Sequence, residues 1–314
     1  MLKVASNIDI RDAFFDEVYL KASTDKDVVF ITADADAFSL QRYRKDFPSQ
    51  FINIGIAEQS MIAVAAGLAL SGKNVFIYAI IPFVTLRCFE HIKVNICSMN
   101  LPVTIVGGSA GFSIDYSGPT HHAVHDIAVM RVLPEIAILN PPDGPSAAAC
   151  AGIAYDSRGP VYIRLDKGTL PLLYDNDEAV KAGFNVLRPL TNVNIISTGI
   201  MSHKVMRVAE ELKQHSINVG VVDLLRLKPV DPISFMELLG DSEWLVTVEE
   251  NSIVGGLGTI VSEILCDRGR SIRLKRIALE DKQHFAYGSR EWLHHHYGLS
   301  VESIANALLE DIAC

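Results

Sequence analysis

The chain has 314 residues, 49% of them apolar and 21% charged, with a net charge of −9 that no long run of like charges carries. The composition is globular, the length favours two domains over one core, and the absence of clustered Lys and Arg excludes a nucleic-acid surface. No apolar h-region precedes Asp9, and the apolar stretch 75–86 is broken by Pro82 and too short for a bilayer, so a soluble, cytoplasmic protein is expected.

In chain order, short β-branched runs alternate with helical patterns. VVFITAD (28–34), FINIG (51–55), VFIYAI (75–80), PVTIVGG (102–108), AILNPPD (137–143) and VYIRLD (161–166) read as strands. Each is almost continuously apolar, as in a parallel sheet buried on both faces. Helices are expected at 9–22, 57–71, 84–98, 123–133 and 144–156, the second a buried helix of small residues. The stretch 168–190 has no clear pattern and reads as a linker. The alternation then restarts with strands at 192–199, 218–225, 243–251 and 272–279 and helices at 202–214, 232–239 and 257–267. The expected fold is α/β: a doubly wound parallel sheet over residues 1–182 and a smaller α/β domain over 183–314.

Five cysteines, at 88, 97, 150, 266 and 314, form no CxxC and match no zinc spacing, so reduced core thiols are expected. Gly255-Gly256-Leu257-Gly258 reads as a tight helix entry, not a phosphate loop.

Ligands of open α/β sheets gather at the carboxyl ends of the strands. That rule selects Asp34 after the first strand, Glu58 after the second, Phe83 after the third, His121 in the loop after the fourth, and Arg164 in the strand before the linker. Glu58 opens a helix, where a carboxylate is favoured by the dipole. Its apolar flanks equally suit an acid in a dry site, whose pKa rises so that it can share a proton.

FINIGIAEQ (51–59), the following Met61 and the small-residue helix after it closely resemble the pyrimidine-binding domain of thiamine-diphosphate enzymes, above all the transketolase group. GPTHHAVHDIAVMRVLP (118–134), NPPD (140–143) and VEENSIVGGLG (248–258) extend the resemblance over nearly the whole chain. The resemblance implies that Glu58 hydrogen-bonds the cofactor's aminopyrimidine ring and favours the tautomer that removes the thiazolium proton. It places Phe83 against that ring, with Asp34, Ile56 and Arg87 nearby. His121 would contact substrate oxygens. Ser117 stands where transketolases usually carry an Asp that reads a substrate hydroxyl, with Asp115 as a partial substitute. Arg164, helped by Lys167, would bind a substrate phosphate. His122 stands where Gln is usual and is assigned no role.

In that group Mg²⁺ anchors the diphosphate through Gly-Asp-Gly and a later Asn, on a separate domain. No such motif occurs here, and no metal ligand is assigned to this chain. The resemblance therefore implies a partner subunit carrying the diphosphate-binding domain and the Mg²⁺ ligands, in an α2β2 assembly. The expected reaction is transfer of a two-carbon ketol unit between anionic sugars. A deoxyxylulose-phosphate-synthase-like carboligase, the β subunit of a 2-oxo-acid dehydrogenase and a catalytically silent scaffold remain alternatives.

Overall fold

The computed structural model describes residues 8–175 and 177–313. Among them are twelve strands: β1 (Val28–Thr32), β2 (Phe51–Asn53), β3 (Asn74–Ile80), β4 (Val103–Gly108), β5 (Ala137–Leu139), β6 (Val161–Leu165), β7 (Asn185–Arg188), β8 (Val193–Ser197), β9 (Gly220–Asp223), β10 (Arg226–Lys228), β11 (Trp244–Ser252) and β12 (Arg273–Leu279). The first sheet runs β10-β5-β6-β4-β3-β1-β2 and the second β12-β11-β8-β9-β7. All pairings are parallel except β10 with β5 and β7 with β9.

The continuous apolar runs have the origin the pattern implied: β1, β4 and β6 are buried along their whole length. One face of the first sheet packs Phe30, Phe76, Val106 and Ile163 against Phe14, Phe15 and Cys150 of helices Ile10–Thr24 and Gly144–Asp156. The other packs Ile31, Ile77 and Ile105 against Met61, Ile62 and Ala65 of helix Glu58–Leu70. That second cluster continues through Met130 and Leu133 into Leu257 and Ile260, so the cores of the two sheets merge. Strand β10 comes from the second half of the chain yet extends the first sheet, which ties the halves by backbone hydrogen bonds as well.

Four expectations need correction. The stretch read as a linker contains helix Asp177–Ala182 and β7; the strand is too short and too polar to stand out before it pairs with β9. The helix expected at 84–98 is a broken path of short turns, including a π-helical turn at Ile92–Ile96. Helices Phe38–Asp46, Arg290–His296 and Val301–Ala313 have no counterpart among the expected elements. Cys88, Cys97 and Cys150 are buried thiols, but Cys266 is exposed, and Cys314 lies outside the described residues. Burial pushes the Cys88 thiol up to about 12 and that of Cys97 up to about 11, which makes them poor nucleophiles. No helix among the described residues is long and apolar enough to cross a membrane.

Gly256 shows how tightly the second half is built. The buried Glu249 carboxylate accepts from the amides of Leu257 (2.7 Å) and Gly258 (2.8 Å), closing the N-terminus of helix Leu257–Asp267. A Cβ on Gly256 would sit 2.0 Å from that carboxylate, so only glycine fits. The glycine-rich stretch is a helix entry, as expected. Burial pushes Glu249 up to about 7 despite its two amide donors.

Candidate active site

The order β2-β1-β3-β4-β6 lines up, along one rim, the segments that follow those strands. Strands β2 and β3 flank β1 on opposite sides, the switch at which doubly wound sheets open a crevice. Glu58 lies past β2, Asp34 past β1, Phe83 past β3, His121 in the loop past β4 and Lys167 just past β6.

Glu58 is 4% exposed, at the first position of its helix. Its Oε2 accepts from Arg87 Nη1 at 2.7 Å, while Oε1 carries no hydrogen bond among the described residues. The acid is buried, but its surroundings are not wholly apolar as its flanks suggested, because a guanidinium reaches in from the turn after β3. Arg87 also lies over the Phe83 ring, 4.3 Å from its centroid. Phe83 in turn meets the His121 ring edge-on at 5.0 Å. A continuous path therefore runs from Glu58 through Arg87 and Phe83 to His121. His121 Nδ1 is 2.9 Å from Thr120 Oγ1, and among the described residues no group bonds Nε2.

Asp34 adopts φ +58° and is exposed; its amide donates to Asn53 Oδ1 and its Oδ1 accepts from Asn53 Nδ2, both at 3.2 Å. Asn53 also accepts from the Gly55 amide at 3.0 Å, so one side chain joins the two strand ends that flank Glu58. Ile56 is 77% exposed beside them.

Arg164 is a correction. It is 3% exposed, and it donates to Asp126 Oδ2 and the Ala123 carbonyl, both at 2.9 Å. Tyr162, two residues earlier on the same strand face, donates to the same Asp126 oxygen at 2.7 Å. Arg164 is thus engaged inside the molecule and does not reach the rim. Lys167, past the strand end, does: its Nζ lies 6.0 Å from the Tyr116 ring and makes no ion pair among the described residues. Ser117 lies partly exposed in the loop between β4 and His121, and Asp115 Oδ2 accepts the Arg290 amide at 3.0 Å. Asp115 is therefore already engaged by the protein. His122 is buried with neither ring nitrogen bonded, and burial lowers its pKa.

Two models of known families match the chain: the transketolase pyrimidine binding domain over residues 6–171 and the transketolase C-terminal domain over residues 183–304. The chain belongs to the transketolase family. It is 35% identical to a subunit of the apulose-4-phosphate transketolase of Phocaeicola vulgatus, covering 96% of this chain and 97% of that protein. A structure solved as "Split gene transketolase, inactive beta4 tetramer" superposes with a TM-score of 0.86 at 33% identity, over 96% of this chain and 98% of that one. The 1-deoxy-D-xylulose-5-phosphate synthase of a Synechococcus strain is 33% identical over 83% of this chain but only 41% of that protein.

Transketolase-family membership implies thiamine diphosphate, and the residues present fit one half of it. A buried carboxyl with one unbonded oxygen, next to a partly exposed aromatic ring, suits a flat heteroaromatic ring with nitrogen acceptors and donors. Nothing among the described residues resembles the diphosphate anchor: Gly240-Asp241 merely ends helix Pro232–Leu239. Among the described residues no group of three or more His, Cys, Asp or Glu could hold a metal ion.

A charged knot beside this rim is centred on a residue with no signature in the sequence pattern. Arg290 forks onto Asp166 (Nη1–Oδ1 2.8 Å, Nη2–Oδ2 2.7 Å) and meets Glu250 through Nε at 2.9 Å, while His294 Nε2 lies 2.5 Å from the same Glu250 oxygen. Burial alone would raise Glu250, but Arg290 and His294 hold it well below the usual carboxylate range. Asp166 and Glu250 stand inside the motifs YIRLDKG and VEENS, but nothing in SREWLHHH marks Arg290.

Proposed function

We propose that this chain is the pyrimidine-binding, β-type subunit of a split, thiamine-diphosphate-dependent transketolase, transferring a two-carbon ketol unit from a ketose donor to an aldehyde acceptor. The observation that carries the reading is the buried Glu58 with its unbonded Oε1, joined through Arg87 and Phe83 to His121. The near end-to-end match to one subunit of a two-part transketolase supports the split form. Synthase-type relatives are matched over less than half their length, which makes the carboligase alternative the weaker one.

Bound at this site, the cofactor would supply the nucleophilic carbon that two-carbon transfer requires. Glu58 Oε1 would hold the pyrimidine ring, while Arg87 fixes the carboxylate through its other oxygen. Phe83 excludes water from one side of the rim. His121, with Nδ1 turned to Thr120, presents Nε2 to a substrate oxygen and moves a proton there. Lys167 binds the anionic end of the sugar, the role that the family resemblance gives to Arg164. Asp34 and Ile56 border the cofactor, and Ser117 faces the substrate in place of the family's usual acid.

The partner is the diphosphate-binding subunit, which carries the Mg²⁺ ligands, in an α2β2 assembly. Helix Glu58–Leu70 favours this, because only one of its sides is buried: Ala63, Val64, Gly67 and Leu70 are exposed, in contrast to the buried helix expected. The adjoining segment adds exposed Leu86, Val94 and Met99. This apolar face is continuous with the Glu58 site, so the subunit that covers it also closes over the cofactor. A relative solved as an inactive tetramer of beta subunits fits such dependence. A boundary between pyrimidine-binding and C-terminal domains at 182/183 and a cytoplasmic location belong to the same proposal.

The test is co-expression with a candidate diphosphate-binding subunit, followed by cofactor titration with Mg²⁺ and a ketol-transfer assay. Binding and turnover by the pair, and by neither chain alone, is the expected result. Tight cofactor binding by the isolated chain would overturn the split reading.

A further inference from the structure

We infer that Arg290, carried by the C-terminal half, is a positioning residue that fixes the two substrate-side arms of the site relative to each other. The inference rests on the functional reading above for what those arms bind. One arm is the loop between β4 and His121, bearing Ser117 and His121. The other is the end of β6, bearing Lys167.

Arg290 touches both. Its Nη2 reaches the Ala110 carbonyl at 3.3 Å, near the start of the loop, and its backbone amide donates to Asp115 Oδ2 at 3.0 Å, in the middle of it. Its guanidinium grips Asp166 through two parallel bonds. Asp166 Oδ1 also accepts the Lys167 amide at 2.8 Å, so the same carboxylate that holds the arginine sets the backbone of Lys167. A bidentate pair fixes angle as well as distance.

The remaining edge of Arg290 is backed by Glu250 at the end of β11. Glu250 lies where a Cβ on Gly111 (φ +58°) would be, 1.8 Å from its Oε2, so this carboxylate also presses on the loop. His294 and, behind it, Lys204 hold Glu250 from the other side. Every group that Arg290 bonds among the described residues either precedes Lys167, belongs to the histidine loop or supports the arginine itself. None of those bonds reaches Glu58, Arg87 or Phe83. A brace of this kind acts first on substrate affinity and touches the cofactor side only indirectly, through the His121 ring on Phe83.

Removing a half-buried arginine that faces two buried carboxylates also threatens folding, so two sets of variants are needed. The first is Arg290→Lys, which keeps the charge and loses the fork. The second is Asp115→Ala, which cuts the tether without stranding a buried charge, paired with Asp115→Asn, which keeps an acceptor oxygen for the Arg290 amide. Each is read in the assembled complex by amide exchange, by KM for a phosphorylated ketose and by affinity for thiamine diphosphate. Arg290→Lys and Asp115→Ala should speed exchange in 109–122 by about ten-fold while 58–70 is unchanged. Donor KM should rise by about ten-fold, with cofactor affinity altered by less than about two-fold. Asp115→Asn should return both towards wild type. Unchanged loop exchange and unchanged KM in folded variants would overturn the inference, as would equal losses of donor and cofactor affinity. If the wild-type complex transfers no ketol unit, the functional reading fails, while the exchange data still decide whether Arg290 braces the loop.

Discussion

At the scale of single residues, hydrogen-bond partners separate groups that the sequence made look alike. Glu58 and Arg164 both sit at the rim in the strand pattern, yet Glu58 keeps one oxygen unbonded and Arg164 has its partners inside. Strand parity explains Arg164: Tyr162 and Arg164 share the face that meets Asp126, whereas Lys167 lies beyond the last paired residue. Glu58→Ala should lower ketol-transfer turnover by about 100-fold or more without loss of subunit assembly, measured by initial rates and size-exclusion chromatography. Arg164→Met strands buried Asp126 and should cost about 3–5 kcal/mol in denaturant unfolding. Lys167→Ala should instead leave stability within about 0.5 kcal/mol and raise KM for anionic sugars. A large KM effect with normal stability from Arg164→Met would restore Arg164 as the phosphate ligand.

At the scale of elements, helix Glu58–Leu70 carries the clearest consequence. Its buried side, with Met61, Ile62, Ala65 and Ala66, fills the sheet face. Its exposed side bears no charge, because Ser60, Ala63, Val64, Gly67 and Leu70 occupy it. The proposed interface accounts for a surface helix with no charged stripe. Val64→Asp should abolish co-purification with the diphosphate-binding subunit while the melting temperature of the isolated chain shifts little. Retained pairing would move the interface elsewhere. Continuous β-branched runs are legible in the sequence, whereas the amphipathic helix Val301–Ala313 is not among the expected elements despite its periodicity. Helix Phe38–Asp46, rich in charge, and β7, short and polar, are not legible, since their placement depends on neighbours distant in sequence.

At the scale of the whole molecule, the junction between the halves holds a buried acid. Tyr174 donates to Asp223 Oδ2 at 2.7 Å and Ser202 bonds its other oxygen, while the amides of Leu173 and Tyr174 are held by Asp143 at 2.6 and 2.8 Å. Burial pushes Asp223 from 3.8 up to about 7, outweighing these donors. The folded chain therefore binds this proton more tightly than the unfolded chain, and the stability it brings is lost as pH rises from about 4 to about 7. Asp223→Asn, which mimics the protonated acid, should gain stability relative to wild type between about pH 5 and pH 8, measured as the difference in urea midpoints. A pH-independent difference would mean that Asp223 is already ionised in the folded state.

The sequence by itself determined the α/β class, the positions of the main strands along the chain and the family. Buried parallel strands must be continuously apolar, and the stretch around Glu58 and the GPTHH loop carry their chemistry in consecutive residues. Only the tertiary structure decided which charges are free. Arg164 and Lys167 stand three residues apart, yet one neutralises Asp126 in the core and the other meets solvent. Arg290 lies 124 residues from the Asp166 it grips. Such pairings are long-range and electrostatic, so no local pattern records them; they exist once two sheets have merged their cores and brought charges distant in sequence within reach of one another.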